Sequence, residues 1–211
     1  MAIVPLHAQT KWYNGLCIEA GAGYNTMNIA SANHYFNTDT SYSRTTFGIQ
    51  PAIRLSYAFS LSKKDSTRFF LSPFIGYYIF GGKSRTEANG YKDVYKFNSL
   101  EAGVIPSMRV YKGLYAGAGV KGQYIFSVQQ KYYGILNQPD SIPRSWETKN
   151  QSDIYYSCAW NAGVQLKYRV KHFTVAAEGW FGLSNLFSLE SDLVTVHTTE
   201  NNYRVMIGYN F

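Results

Sequence analysis

From residue 16 to residue 211 one pattern recurs: apolar or aromatic residues alternate singly with small or polar ones. Successive side chains on a β-strand point to opposite faces, so period two is the mark of strands whose two faces meet different surroundings. Eight segments carry it, at 16–24, 47–59, 69–79, 99–110, 114–124, 156–168, 173–181 and 203–211. In the second, Phe47, Ile49, Ile53, Leu55, Tyr57 and Phe59 alternate with Gly48, Gln50, Ala52, Arg54, Ser56 and Ala58. In the fifth, Leu114, Ala116, Ala118, Val120 and Tyr124 alternate with Tyr115, Gly117, Gly119, Lys121 and Gln123. No stretch approaches the roughly 18 apolar residues a membrane helix needs, so a helical membrane protein is excluded.

The connections alternate in length. Residues 25–45, 81–93, 128–152 and 187–200 form longer loops, whereas 62–66, Lys112-Gly113 and Lys171-His172 are short turns. An even number of strands with long and short connections in turn is an up-and-down meander closed into a barrel. The predicted fold is therefore all-β: an eight-stranded antiparallel barrel over residues 10–211.

Which face points outward follows from composition. A soluble barrel would show water its polar face, but here that face is Gly-, Ala- and Ser-rich with few charges. Small residues suit the lumen of an eight-stranded barrel, which side chains just fill. The large apolar face suits lipid. Its aromatics gather near the strand ends, with Tyr57, Phe59, Phe69, Tyr168, Phe173 and Tyr209 at the short-turn end and Tyr24, Tyr77, Tyr124 and Phe181 toward the other. Two such girdles are expected where rings meet lipid headgroups. A lipocalin-like carrier is thereby disfavoured, and a transmembrane barrel is expected.

The charges give a second test. Glu19, Arg54, Glu101, Lys121, Glu178 and Arg204 fall on the small face, three acids and three bases. Buried charges must be paired, since an isolated one costs several kcal/mol or more. Counting along the strands sets Glu19, Arg54, Glu178 and Arg204 at similar depth, with Glu101 and Lys121 facing each other slightly higher. These six are read as a structural network that plugs the lumen. The short-turn end holds nine basic residues, Lys167 among them, against Asp65, a net of +8; the loop end is at −1, and the whole chain at +7. The basic rim suits headgroup phosphates or an acidic periplasmic partner. No nucleic-acid motif accompanies it, so nucleic acid is not an expected partner.

Residues 1–9, MAIVPLHAQ, read as the remnant of a signal peptide, ending in a short apolar run and a small-residue cleavage site. Cys17 and Cys158 fall on opposite faces by parity, Cys17 inward and Cys158 toward lipid, so no disulfide is expected. His34 and His197 lie in two loops near Asp39, Ser188 and Asp192, but without the spacing of a catalytic or metal constellation. No catalytic residues, metal or cofactor are expected. The 128–152 loop carries Tyr132, Tyr133, Ile135, Leu136, Ile142 and Trp146, too apolar for a purely solvated loop, and is a candidate contact surface.

The terminal segment, with Tyr203, Val205, Ile207, Tyr209 and Phe211 on one face, resembles the last strand of small outer-membrane β-barrels of the OmpA/OmpX-like class. The Tyr- and Gly-rich style and the HAQ site are similar to porin-like barrels of the Bacteroidota. That resemblance covers residues 12–211. It implies a Gram-negative outer-membrane location, contact with outer-membrane lipid, and reading of those five residues by the barrel assembly machinery during biogenesis. The function expected is that of a non-enzymatic barrel acting through its loops or periplasmic rim, as an interaction or accessory subunit of an envelope complex with another outer-membrane or periplasmic protein. A small-solute pore is the alternative, and a lipid-modifying enzyme the third reading.

Overall fold

The computed structural model describes residues 15–33, 38–45, 50–61, 69–85, 92–133, 147–149, 158–190 and 194–211. Eleven strand segments follow one another: β1 (Gly15–Asn33), β2 (Thr38–Thr45), β3 (Gln50–Ser60), β4 (Phe69–Arg85), β5 (Lys92–Tyr111), β6 (Leu114–Tyr133), β7 (Glu147–Lys149), β8 (Cys158–Val170), β9 (Phe173–Gly182), β10 (Phe187–Glu190) and β11 (Val194–Asn210). They make eight staves. β2 and β3 pair with successive lengths of β1, β7 and β8 with β6, and β10 and β9 with β11. Every pairing is antiparallel, and β1 against β11 closes the ring. The eight-stranded meander predicted from alternation is the fold found.

The two tight turns lie where the sequence puts them. Lys112 and Lys171 take φ of 23° and 52°. A left-handed φ at the first turn residue lets a two-residue hairpin match the right-handed twist of its strands.

The loop end departs from expectation. Within the connections predicted at 25–45, 81–93, 128–152 and 187–200, the described residues are strand: β1 runs to Asn33, β4 to Arg85, β6 to Tyr133, and β11 starts at Val194. Beyond the lipid both faces meet polar surroundings, so alternation fades. Thr, Ser, Asn and Tyr nevertheless still pair across strands. A register shift between Asn98 and Ser99 leaves Phe126 without an opposite residue on β5, so Ile125 and Val128 both point inward. Residues 1–14, with the signal-peptide reading, lie outside the described residues.

The outer wall is an apolar band. Ile53, Ile75, Leu100, Trp160, Val164, Val205 and Ile207 all stand exposed on it, Ile207 at 61%. A continuous band of this kind is a surface only lipid covers without cost. The interior has three levels. Cys17, Ser56, Phe70, Thr174 and Asn210 lie nearest the short turns, around a cavity of about 40 Å³. The charged residues cross the middle. Above them Met27, Tyr78, Phe80, Phe97, Ile125, Val128 and Leu186 form an apolar cluster.

Candidate functional site: the charge belt in the lumen

Alternation puts one inward position on each stave at each level, and the closed ring brings these positions together. Arg54 on β3 donates through Nε to Glu19 on β1 at 2.6 Å and sets Nη2 2.6 Å from Glu178 on β9. Arg204 on β11 sets Nη2 3.5 Å from the same Glu178 and donates through Nη1 to Glu101 on β5 at 2.6 Å. Lys121 on β6 donates to the other Glu101 oxygen at 2.7 Å. At the opposite end Lys167 on β8 sets Nζ 2.9 Å from Glu19. The result is one chain of alternating sign, Lys167–Glu19–Arg54–Glu178–Arg204–Glu101–Lys121, running through seven of the eight staves.

Neutral groups add to it. Glu178 accepts from Gln165 Nε2 at 2.6 Å and from the Trp180 indole at 2.9 Å, and Ser56 donates to Glu19 at 3.3 Å. Rings flank the cations, with Arg54 over Phe74 at 5.1 Å, Lys121 over Trp180 at 5.1 Å and Arg204 over Tyr78 at 5.0 Å. Satisfaction is not complete: among the described residues, Arg54 Nη1 and Arg204 Nε are buried without a hydrogen-bond partner, a cost that the ion pairs must offset. Two inward glycines make the room. A Cβ on Gly208 would lie 2.6 Å from Glu19 Cγ, and one on Gly23 would lie 2.8 Å from Arg204 Cγ.

All six charges placed inside from the sequence are buried in the lumen, and they belong to one connected chain rather than two separate levels. Lys167 and Glu200 also face inward, which the sequence reading missed. Lys167, counted with the basic rim, reaches in to Glu19 with its side chain 17% exposed. Its inward parity was visible in the alternation, but its nearness to the turn hid it. Glu200, counted in the last loop, is buried on β11 and accepts from Asn202 Nδ2 at 3.4 Å. No signal marked it, because alternation is lost in that stretch. With both included, these eight side chains are four acids and four bases.

The other candidates fall as follows. Cys17 is buried, with its sulfur 3.8 Å from Thr174 Oγ1, and Cys158 is exposed on the outer wall; both are free. His197 lies on β11 with Nδ1 3.0 Å from Asn185 Nδ2, and His34 lies outside the described residues. No group of three or more His, Cys, Asp or Glu side chains suited to a metal occurs among the described residues. Tyr203, Val205, Ile207, Tyr209 and Phe211 all face outward, and Phe211 donates its amide to Leu16 across the closing seam. Tyr132 and Tyr133 end β6, while Ile135, Leu136, Ile142 and Trp146 lie outside the described residues. Of the rim, Lys112 and Lys171 are exposed on the hairpin turns.

No protein-family model and no curated protein matches the chain. Solved structures do. The chain is similar to Neisserial surface protein A at 10% identity, covering 93% of this chain and 97% of that one with a TM-score of 0.51. It is also similar to the outer-membrane protein OprG of Pseudomonas aeruginosa at 12% identity, covering 94% and 97% with a TM-score of 0.48. The likeness is one of fold, the small eight-stranded barrel of the outer-membrane class. With its apolar outer wall, the chain has the fold of the integral outer-membrane β-barrels.

Proposed function

We propose that this barrel is non-enzymatic, that its lumen is sealed by its own side chains, and that it works through surfaces outside the membrane as an interaction or accessory subunit of an envelope complex. The observation that carries this reading is the double closure of the lumen. The charge belt crosses its middle, and Phe80 stacks on Phe97 at 4.8 Å and on Tyr78 at 5.8 Å above it. The length of the staves also supports it. β5 and β6 have 20 residues each, where about 9–11 cross a bilayer, so paired strand stands well clear of the lipid.

The test has two parts. Reconstituted barrel in planar bilayers is expected to give no conductance above background. A tagged barrel purified from native envelopes in mild detergent is expected to retain one envelope protein at stoichiometric level, lost on shortening 134–146 or neutralising the basic rim. Steady conductance altered by Glu101→Gln or Lys121→Met would replace this reading with that of a small-solute pore. Altered envelope lipids that depend on His34 or His197 would replace it with that of a lipid-modifying enzyme.

A further inference from the structure

The basic residues of the short-turn end are concentrated on two hairpins. Residues 105–118 and 165–176 carry Arg109, Lys112, Lys167, Arg169 and Lys171, and no acid. β5, β6, β8 and β9 are consecutive in the wall, so these five cations share one half of the rim. They do not all face the same way. Lys112 and Lys171 are exposed on the turns. Arg109 and Lys167 lie in one row with buried Tyr115, and Arg169 pairs with buried Thr174. Paired residues share a face, so these three turn toward the lumen. Lipid lies outside the barrel, so headgroup contact accounts for the turn lysines and not for the inward three.

The inward cations meet the small cavity between the charge belt and the short turns. A residue from each of the eight staves lines it, which sets it on the barrel axis. Its lining includes Lys167, Arg169 and the hydroxyls of Ser72, Ser107, Thr174 and Tyr115, and no acid. Gln165, also in the lining, bonds Glu178 of the belt at 2.6 Å and marks the inner end. Toward the turns Ser107, Lys167 and Arg169 are half-buried, so the cavity is a blind recess open on that side. Arg169 donates through Nε to the Lys171 carbonyl at 3.2 Å, which ties its guanidinium to the edge. A volume of about 40 Å³ has room for about three waters at ~10–15 Å³ each. A carboxylate, one carbon with two oxygens, is of that size, and it accepts from hydroxyl and cationic donors alike.

We infer that this recess receives one carboxylate of an acidic peptide segment, whose neighbouring acids meet Arg109, Lys112 and Lys171 around it. The inference rests on the reading of the barrel as a subunit that docks an envelope protein, and it gives the docking segment its chemistry. Charge and size select the occupant. Five like charges on one half of the rim favour a segment with several acids over a lone ion. The recess admits a carboxylate but no sugar ring.

Fluorescence anisotropy of a labelled penta-aspartate amide, titrated with the full barrel in phosphatidylcholine nanodiscs at low salt, tests this. Wild type is expected to bind the peptide, and penta-asparagine amide to bind at least ten-fold more weakly. Arg169→Gln, and separately Ser107→Leu, which fills the recess, are each expected to weaken binding by at least ten-fold. Far-ultraviolet circular dichroism and protease resistance confirm that each is folded; should Ser107→Leu fail to fold, Ser72→Leu takes its place. Equal binding of penta-asparagine would overturn the site. So would binding that both recess variants leave unchanged and only Lys112→Gln/Lys171→Gln weakens, which would mark a bare ionic rim. Displacement of the peptide by acetate at equal carboxylate concentration would make the recess a site for free carboxylates instead. The envelope purification separates this inference from the reading beneath it. A partner retained by the Ser107→Leu barrel would overturn the recess and leave docking standing. A wild-type barrel that binds the peptide but retains no envelope protein would support the recess and remove the docking reading.

Discussion

Arg204 reaches across the lumen to Glu101 at 2.6 Å, joining β11 to β5 over 103 residues of chain. The two strands are not neighbours in the wall, so this bond braces the ring through its interior. Removing one partner of a buried pair costs about 3–5 kcal/mol, because the other charge is left uncompensated. Arg204→Met is expected to destabilise the barrel by that order in urea unfolding from lipid vesicles. The double variant Arg204→Met/Glu101→Met is expected to cost less than the sum of the two singles. Strict additivity would show that the pair is not coupled.

Two glycines on paired strands should respond in opposite ways. At Gly163 a Cβ would lie 2.4 Å from the Trp180 ring and 2.7 Å from the Gly179 carbonyl oxygen, inside a packed wall. At Gly122, on the outer face, the nearest atom would be 3.4 Å away. Gly163→Ala is expected to cost about 1–3 kcal/mol, the range for overpacking. Gly122→Ala is expected to change stability by no more than about 0.5 kcal/mol, as at an uncrowded surface position. The denaturation midpoints of the two variants check both.

The aromatic cluster and the charge belt cross the lumen at different levels. Phe97 stacks on Phe80 at 4.8 Å with neither ring exposed. Phe97→Ala is expected to lose about 3–5 kcal/mol of stability, as for aromatic-to-alanine changes in cores. Single-channel recordings of this variant are nevertheless expected to stay at background, because the belt below is intact. Steady openings in Phe97→Ala would show that the aromatic cluster alone holds the lumen shut.

The two thiols report inside and outside directly. Cys158 faces lipid, and Cys17 is buried beside Thr174. A membrane-partitioning maleimide is expected to add once to the folded barrel. Cys158→Ser should abolish that addition and Cys17→Ser leave it unchanged, as read by intact mass. Rapid modification of Cys17 from the lipid side would invert the assignment of faces.

Period-two alternation by itself determined the eight staves, the two hairpin turns at Lys112 and Lys171, and the side on which Glu19, Arg54, Glu101, Lys121, Glu178 and Arg204 lie. Each is a local property: parity fixes a side chain's face before any strand finds its neighbour. The tertiary structure decided what met what. Which depths coincide in a closed ring depends on strand tilt and shear, so only closure could link Arg204 to Glu101 and join the six charges into one chain. Closure likewise set Lys167 on Glu19 and drew Glu200 inside. The reach of β1, β5, β6 and β11 beyond the lipid was hidden for a related reason. Alternation records a difference between two environments, and where water meets both faces the strands go on pairing without leaving that record.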